Sequence, residues 1–268
     1  PYTSLVRDWQ VTYKEGESAG GSHGVGKSVL WASSALSTAF FCSTVDGESE
    51  SPRLIGRSIL PDHYVDSTHC AGKGWLGVYD SSSPVSHPVS LWDGPAETLA
   101  SKICLDRPNE YGTSVLIPGF CSPVGDLEVD VRDVVNEFVT AAVKNFWPAI
   151  YNGNLKVSVV EPDGTEHKAN IDAVPETKPF VKCFQHRSDA DEELDGPGDI
   201  AERAIKFDFT KSETGERFNG TADVYVRMPQ PGEEEQELTN STAIFRGSGM
   251  VVDYINMNEP AAHGHPYH

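Results

Sequence analysis

The residues best suited to chemistry stand together in Gly20-Gly21-Ser22-His23-Gly24-Val25-Gly26-Lys27-Ser28. Four glycines in seven residues allow positive φ and a close approach of backbone to ligand. A largely apolar run, Val29 to Leu36, follows at once. A loop that hands its free N–H groups to a helix start binds anions. The chemistry expected is nucleotide-phosphate binding by the N–H groups of Gly24, Val25 and Gly26. Lys27 is placed to pair with a β- or γ-phosphate as a point charge. A cation at a helix N-terminus is disfavoured unless an anion is near, which agrees with that role. Ser28 is expected to cap the helix, and His23 is either a phosphate contact or a plain loop histidine.

Two nucleotide-binding patterns accommodate this stretch. Gly21-x-x-x-x-Gly26-Lys27-Ser28 fits the Walker A spacing, in which Ser28 would hold Mg²⁺. That loop must leave a buried strand directly, whereas Tyr13 to Ala19 is polar and the nearest apolar piece is Leu5-Val6. Val124-Gly125-Asp126 and Val251-Val252-Asp253 are weak matches to the acidic strand end that a Walker site also needs.

The second pattern reads further along: Gly24-Val25-Gly26, a short helix, then the strand Thr38 to Val45 ending at Asp46-Gly47. This order resembles the ATP lid of the GHKL ATPases (gyrase, MutL, heat-shock chaperone ATPases, histidine kinases), and in detail a bacterial group associated with phage defence. Arg7-Asp8 resembles a degenerate first glycine box, whose Asp reads the adenine amino group. Trp9-Gln10 replace the usual glycines. Tyr111-Gly112-Thr113-Ser114-Val115-Leu116-Ile117-Pro118 resembles the Gly-Thr strand that closes the GHKL sheet.

The likeness covers roughly residues 5 to 160. It implies ATP and Mg²⁺ as ligands, Asp8 and Gly20 to Ser28 as nucleotide-binding residues, and a homodimer or partner subunit in the full-length protein. In that superfamily a Glu base and a Mg²⁺-holding Asn lie on a helix upstream of the lid. Nineteen residues precede Gly20 and contain no Asn. The chain, which begins at Pro1, is therefore expected to be a fragment that is inactive in ATP hydrolysis on its own. A third reading is a non-enzymatic interaction module with an acidic surface, the glycine run being a turn.

The elements that must position these residues follow from length and pattern. At 268 residues one large domain or two ordinary ones are expected. Hydrophobic residues make up 38%, enough for a globular core. A net charge of −19 and a pI near 4.7, without a Lys/Arg cluster, argue against direct binding to a nucleic-acid backbone. Cys42, Cys70, Cys104, Cys121 and Cys183 form no C-x-x-C pair, which suggests reduced thiols and a cytoplasmic location. His263, His265 and His268 read as a tail, and no metal site is expected there. The pattern holds neither signal peptide nor membrane span.

Strands are expected at Ser4–Arg7, Thr38–Val45, Leu54–Leu60, Trp75–Tyr79 and, buried, Gly112–Pro118. A helix is expected from Ser28 to Ser37, a loop over Asp62–Gly74 and a short helix over Pro95–Ile103. The clearest helix is Val131 to Trp147, with apolar residues at i, i+3 and i+4, Phe138 and Phe146 buried, and Pro148 and Gly153 marking its end. The strand Leu155–Val160 after it suggests a βαβ unit. Ser188–Gly198 reads as an acidic loop. Ala204–Phe209, Ala222–Met228, Ser241–Arg246 and Met250–Ile255 alternate as strands, with Pro229–Glu237 as an acidic linker and hairpin tip.

The expected class is α+β. Residues 1–125 would form the C-terminal portion of a GHKL (Bergerat-type) sheet-and-helix layer. Residues 126–268 would form a transducer-like α+β domain with a βαβ unit, in which Arg246 is a candidate nucleotide sensor.

Overall fold

The computed structural model describes Val6 and residues 26–47, 51–79, 88–105, 110–122, 130–210, 215, 217–233 and 237–257. The fold is α+β with antiparallel sheets. The chain divides into two compact units, Pro1–Val129 and Asp130–His268. Asp126 and the three terminal histidines lie outside the described residues, as does the strand expected at Ser4–Arg7 apart from Val6.

In the first unit a 3₁₀ turn over Gly26–Ser28 runs into α1 (Val29–Ala32). The helix is much shorter than the ten residues from Ser28 to Ser37. The Ser34 hydroxyl stops it: its oxygen accepts from the Leu36 and Thr38 N–H groups and its proton goes to the Pro118 carbonyl at 2.6 Å. A side chain that binds nearby backbone competes with the helix ladder. The chain continues through β1 (Thr38–Thr44), β2 (Arg53–Ile59), β3 (His63–Val65), β4 (Thr68–Cys70), β5 (Lys73–Leu76), β6 (Leu91–Trp92), α2 (Asp93–Lys102) and β7 (Gly112–Leu116).

The main sheet runs β5-β2-β1-β7, with β6 also on β2, and every pairing is antiparallel. Alternation along β1 divides the core. Ala39 and Phe41 pack with Val6, Trp31 and Ile55 on one face. Cys42 packs with Leu54, Ala96 and Ala100 under α2 on the other. Among the described residues β7 is an edge strand with mostly exposed side chains, not the buried strand its composition suggests. The stretch expected as a loop over 62–74 holds the β3–β4 hairpin instead.

The second unit opens with α3 (Val131–Tyr151), whose N-cap Asp130 accepts from the Arg132 N–H. It continues with β8 (Ser158–Val160), β9 (Glu166–Lys168), α4 (Lys178–Gln185), β10 (Ile200–Thr210), β11 (Arg217–Arg227), β12 (Ser241–Phe245) and β13 (Val251–Asn256). Its core joins Val143 and Trp147 of α3 to Phe180 and Val181 of α4 and Val251 of β13.

Four expectations fail here for local reasons. The helix passes through Pro148 instead of ending there and stops at Tyr151, just before Gly153, the second expected end mark. A helical proline leaves the carbonyl four residues earlier without its donor, and the Tyr254 hydroxyl donates to that carbonyl, of Lys144, at 2.6 Å. Phe138 is 51% exposed, on the side of the helix opposite the buried Val143 and Trp147, and Phe146 is only half-buried. No βαβ unit forms among the described residues. β7 is taken by β1, and β8 folds back on β9 through a turn in which Asp163 accepts from the Thr165 N–H. Among the described residues β11 does not pair with β12, so the acidic linker between them is not a hairpin tip.

Candidate nucleotide-binding site

Of the residues expected to bind nucleotide, Gly26, Lys27 and Ser28 are described; Asp8, Gly20, Gly21, Ser22, His23, Gly24 and Val25 lie outside the described residues. Ser28 stands at the N-cap of α1 with helical dihedrals and makes no side-chain capping bond, contrary to the capping expected of it. With φ and ψ already in the helix region, its side chain cannot reach back over the first turn as an extended cap does.

α1 is fixed to the sheet through one residue. Trp31 is buried, donates from Nε1 to the Arg57 carbonyl at 2.9 Å, and meets Phe41 at 6.1 Å between ring centroids. Arg57 on β2 is 2% exposed. Its guanidinium lies over Trp31 at 5.3 Å and Trp75 at 4.7 Å, and its Nη1 donates to the Val6 carbonyl. One buried cation thus holds two pieces of chain. One is Val6, two residues before Asp8; the other is the helix that begins two residues after Lys27. Cation–π contacts gain strength when desolvated, which suits an arginine in this place.

Beside this anchor the first unit holds a cavity of about 430 Å³, a size common for small-molecule sites. Val6, Phe41 and Ile55 line it with apolar surface, and Ser43, Asp46, Arg53, Gly112 and Thr113 bring polar groups. The Ser43 and Thr113 hydroxyls lie 2.9 Å apart across β1 and β7. Arg53 is oriented by two contacts: its Nε donates to Ser90 Oγ at 2.9 Å, and its guanidinium lies 4.8 Å from the Trp92 centroid. An apolar patch with paired hydroxyls, a carboxylate and a guanidinium suits a flat heterocycle with a polar edge.

Sequence reasoning singled out Gly112-Thr113 and passed over Ser43, Asp46, Arg53 and Arg57. The available signal is alternation: Phe41 and Ser43 must share a face of β1. Among the described residues no group of three or more His, Cys, Asp or Glu could hold a metal ion, and no helix is long and apolar enough to cross a membrane. No disulfide joins the five cysteines, and burial pushes the Cys183 thiol up to about 11. Fold and site together define an α+β chain with a ligand-sized cavity on an antiparallel sheet. Comparison with family models, curated proteins and solved structures finds no match.

Proposed function

We propose that this chain is the lid-bearing and transducer-like portion of a GHKL-type ATPase and that its first unit binds ATP with Mg²⁺. The observation that carries the reading is the cavity, which Val6, two residues before Asp8, shares with the Gly112-Thr113 pair of the Gly-Thr strand. The adenine would lie on Phe41 and Ile55 with its polar edge toward Thr113, and Lys27 would pair with the phosphates. The order after the glycine run supports it: a short helix, then a strand paired antiparallel on both sides. The Walker alternative draws less support. Phosphate-loop folds are built on parallel strands with helical crossovers, whereas every described pairing in the main sheet is antiparallel.

Titration calorimetry of the chain with Mg²⁺-ATP and Mg²⁺-GTP tests this. ATP is expected to bind in preference. Lys27→Ala should weaken binding by about tenfold, as loss of a charge-assisted contact does. Thr113→Val should narrow the preference for adenine. Vigorous Lys27-dependent hydrolysis that Thr113→Val leaves untouched would favour the Walker reading. Absence of any nucleotide binding would leave the interaction module.

A further inference from the structure

We propose that the outer edge of β10 is a self-association surface. Two copies of the chain join there, antiparallel and about a two-fold axis centred on Phe207, to make a four-stranded sheet. The inference is independent of nucleotide binding.

The backbone sets which residues can pair. The Asp191 N–H donates to the Ile200 carbonyl at 2.9 Å, and the Glu202 N–H donates to the Asp191 carbonyl at 3.0 Å. Even-numbered residues of β10 therefore direct their backbone groups away from β11, since successive strand residues alternate. Among the described residues this outer pairing ends at Glu202, so Ala204, Lys206, Asp208 and Thr210 present their N–H and C=O groups on an open edge. A long open edge invites another strand.

The side chains then select the partner and the register. Antiparallel pairing needs outward residues opposite one another, which leaves few registers. Centring on Lys206 or on Asp208 sets like charges face to face. Centring two residues earlier, on Ile205, sets Glu202 against Asp208 and competes with Asp191. Centring on Phe207 sets Lys206 of each copy opposite Asp208 of the other, with Ile205 opposite Phe209 and Phe207 opposite itself. Opposite charges and apolar pairs across strands stabilise, and like charges destabilise. This register alone satisfies charge and apolar matching together.

Two further features fit a second copy. Phe207 and Phe209 are 41% and 55% exposed and share a face with Phe218, stacked on Phe209 at 5.3 Å. The β10–β11 ribbon carries four cations and three anions, in a chain of net charge −19. Two copies meet there without the repulsion their acidic surfaces would impose. The edge of β11 is a poorer template, because α4 packs beside it and Asn219 and Gly220 stand in its first half.

The test is sedimentation of the full chain with two charge reversals. Wild type should be dimeric. Lys206→Glu and Asp208→Lys should each raise the dimer Kd by about tenfold or more, because each sets like charges opposite twice. An equimolar mixture of the two variants should dimerise again, since both facing pairs are then opposite in sign. Under mild oxidation Phe207→Cys should cross-link beyond the wild-type background, while Ile205→Cys should not. A monomeric wild type, a dimer indifferent to both reversals, or a mixture no better than either variant alone would overturn the proposal.

Discussion

The second unit contains two antiparallel ribbons that read alike in sequence and behave differently. β12–β13 lies on α3. Val251 and Ser241 are buried, Tyr254 is bonded to the helix, and Gly249, at φ +79°, comes so close that a Cβ there would stand 2.6 Å from the Ala149 nitrogen. β10–β11 starts in the core at Ile200 and Ala201 and then leaves it, with Ile205, Phe207 and Phe209 exposed. Alternation says which residues share a face. It does not say whether anything covers that face. The packed ribbon is specified along its length, whereas the other is held at its base.

That base is a charged cluster, and the largest expected effect comes from breaking it. Arg227, at the end of β11, is 3% exposed and donates to Glu233 at 2.7 Å; Lys182 of α4 donates to the other carboxylate oxygen at 2.7 Å. Glu233→Gln should cost about 3 kcal/mol in denaturant melts, because it leaves a buried arginine without its counter-charge. The same carboxylate gives the unit a pH dependence. Burial pushes Glu233 up, but hydrogen bonds from Lys182, the Gln230 N–H and Arg227 outweigh that and hold it at about 2, below the ordinary 4.5. A depressed folded-state value means that the contribution is complete above the unfolded value and is lost as pH falls from there toward 2. The loss should amount to about 2–3 kcal/mol and be missing in Glu233→Gln. A wild-type stability that stays flat between pH 5 and pH 2.5, after comparison with that variant, would remove the cluster from the account of how the ribbon is held.

The packed ribbon should respond to a single atom. The Tyr254 hydroxyl accepts from Trp147 Nε1 at 3.1 Å and donates to the Lys144 carbonyl that Pro148 deprives of its helical donor. Tyr254→Phe leaves both groups without that hydroxyl and should cost about 2 kcal/mol. Amide exchange should quicken in the turn after Pro148, while the outer half of β10–β11 keeps its rates. A uniform change in both ribbons would mean that they unfold as one, and the contrast between them would fail.

Much of the architecture could be read from the chain. The strands β1, β2, β12 and β13 and the helices α2 and α3 fall where alternation and 3.6-residue periodicity put them. What could not be read depends on residues distant in sequence. Pro148 reads as a helix end until Tyr254, more than a hundred residues on, supplies the missing donor. Phe138 belongs to a broad apolar stripe, and the stripe cannot say which of its sides meets the core. α4 has eight residues, too few to show a period beside Lys178 and Pro179. The glycine run declared itself locally. The cavity did not, because Ser43, Arg53 and Thr113 come together only when β1, β2 and β7 pair.

The smallest effect is expected in the middle of the exposed ribbon. Phe209 makes ring contacts with Phe207 at 6.1 Å and Phe218 at 5.3 Å and is otherwise half open to solvent. Replacing a buried phenylalanine costs about 3–5 kcal/mol through lost transfer energy and a cavity. Here no cavity can form and little transfer is lost, while threonine, being β-branched, also favours an extended backbone. Phe209→Thr in the Lys206→Glu background, where self-association does not contribute, should therefore shift unfolding by less than about 1 kcal/mol. In the otherwise wild-type chain the same change should weaken the dimer, since Phe209 faces Ile205 of the other copy. A loss of several kcal/mol in the charge-reversed background would show that the aromatic face is already covered within one molecule. The difference between the two ribbons would then be one of local exposure and not of anchoring.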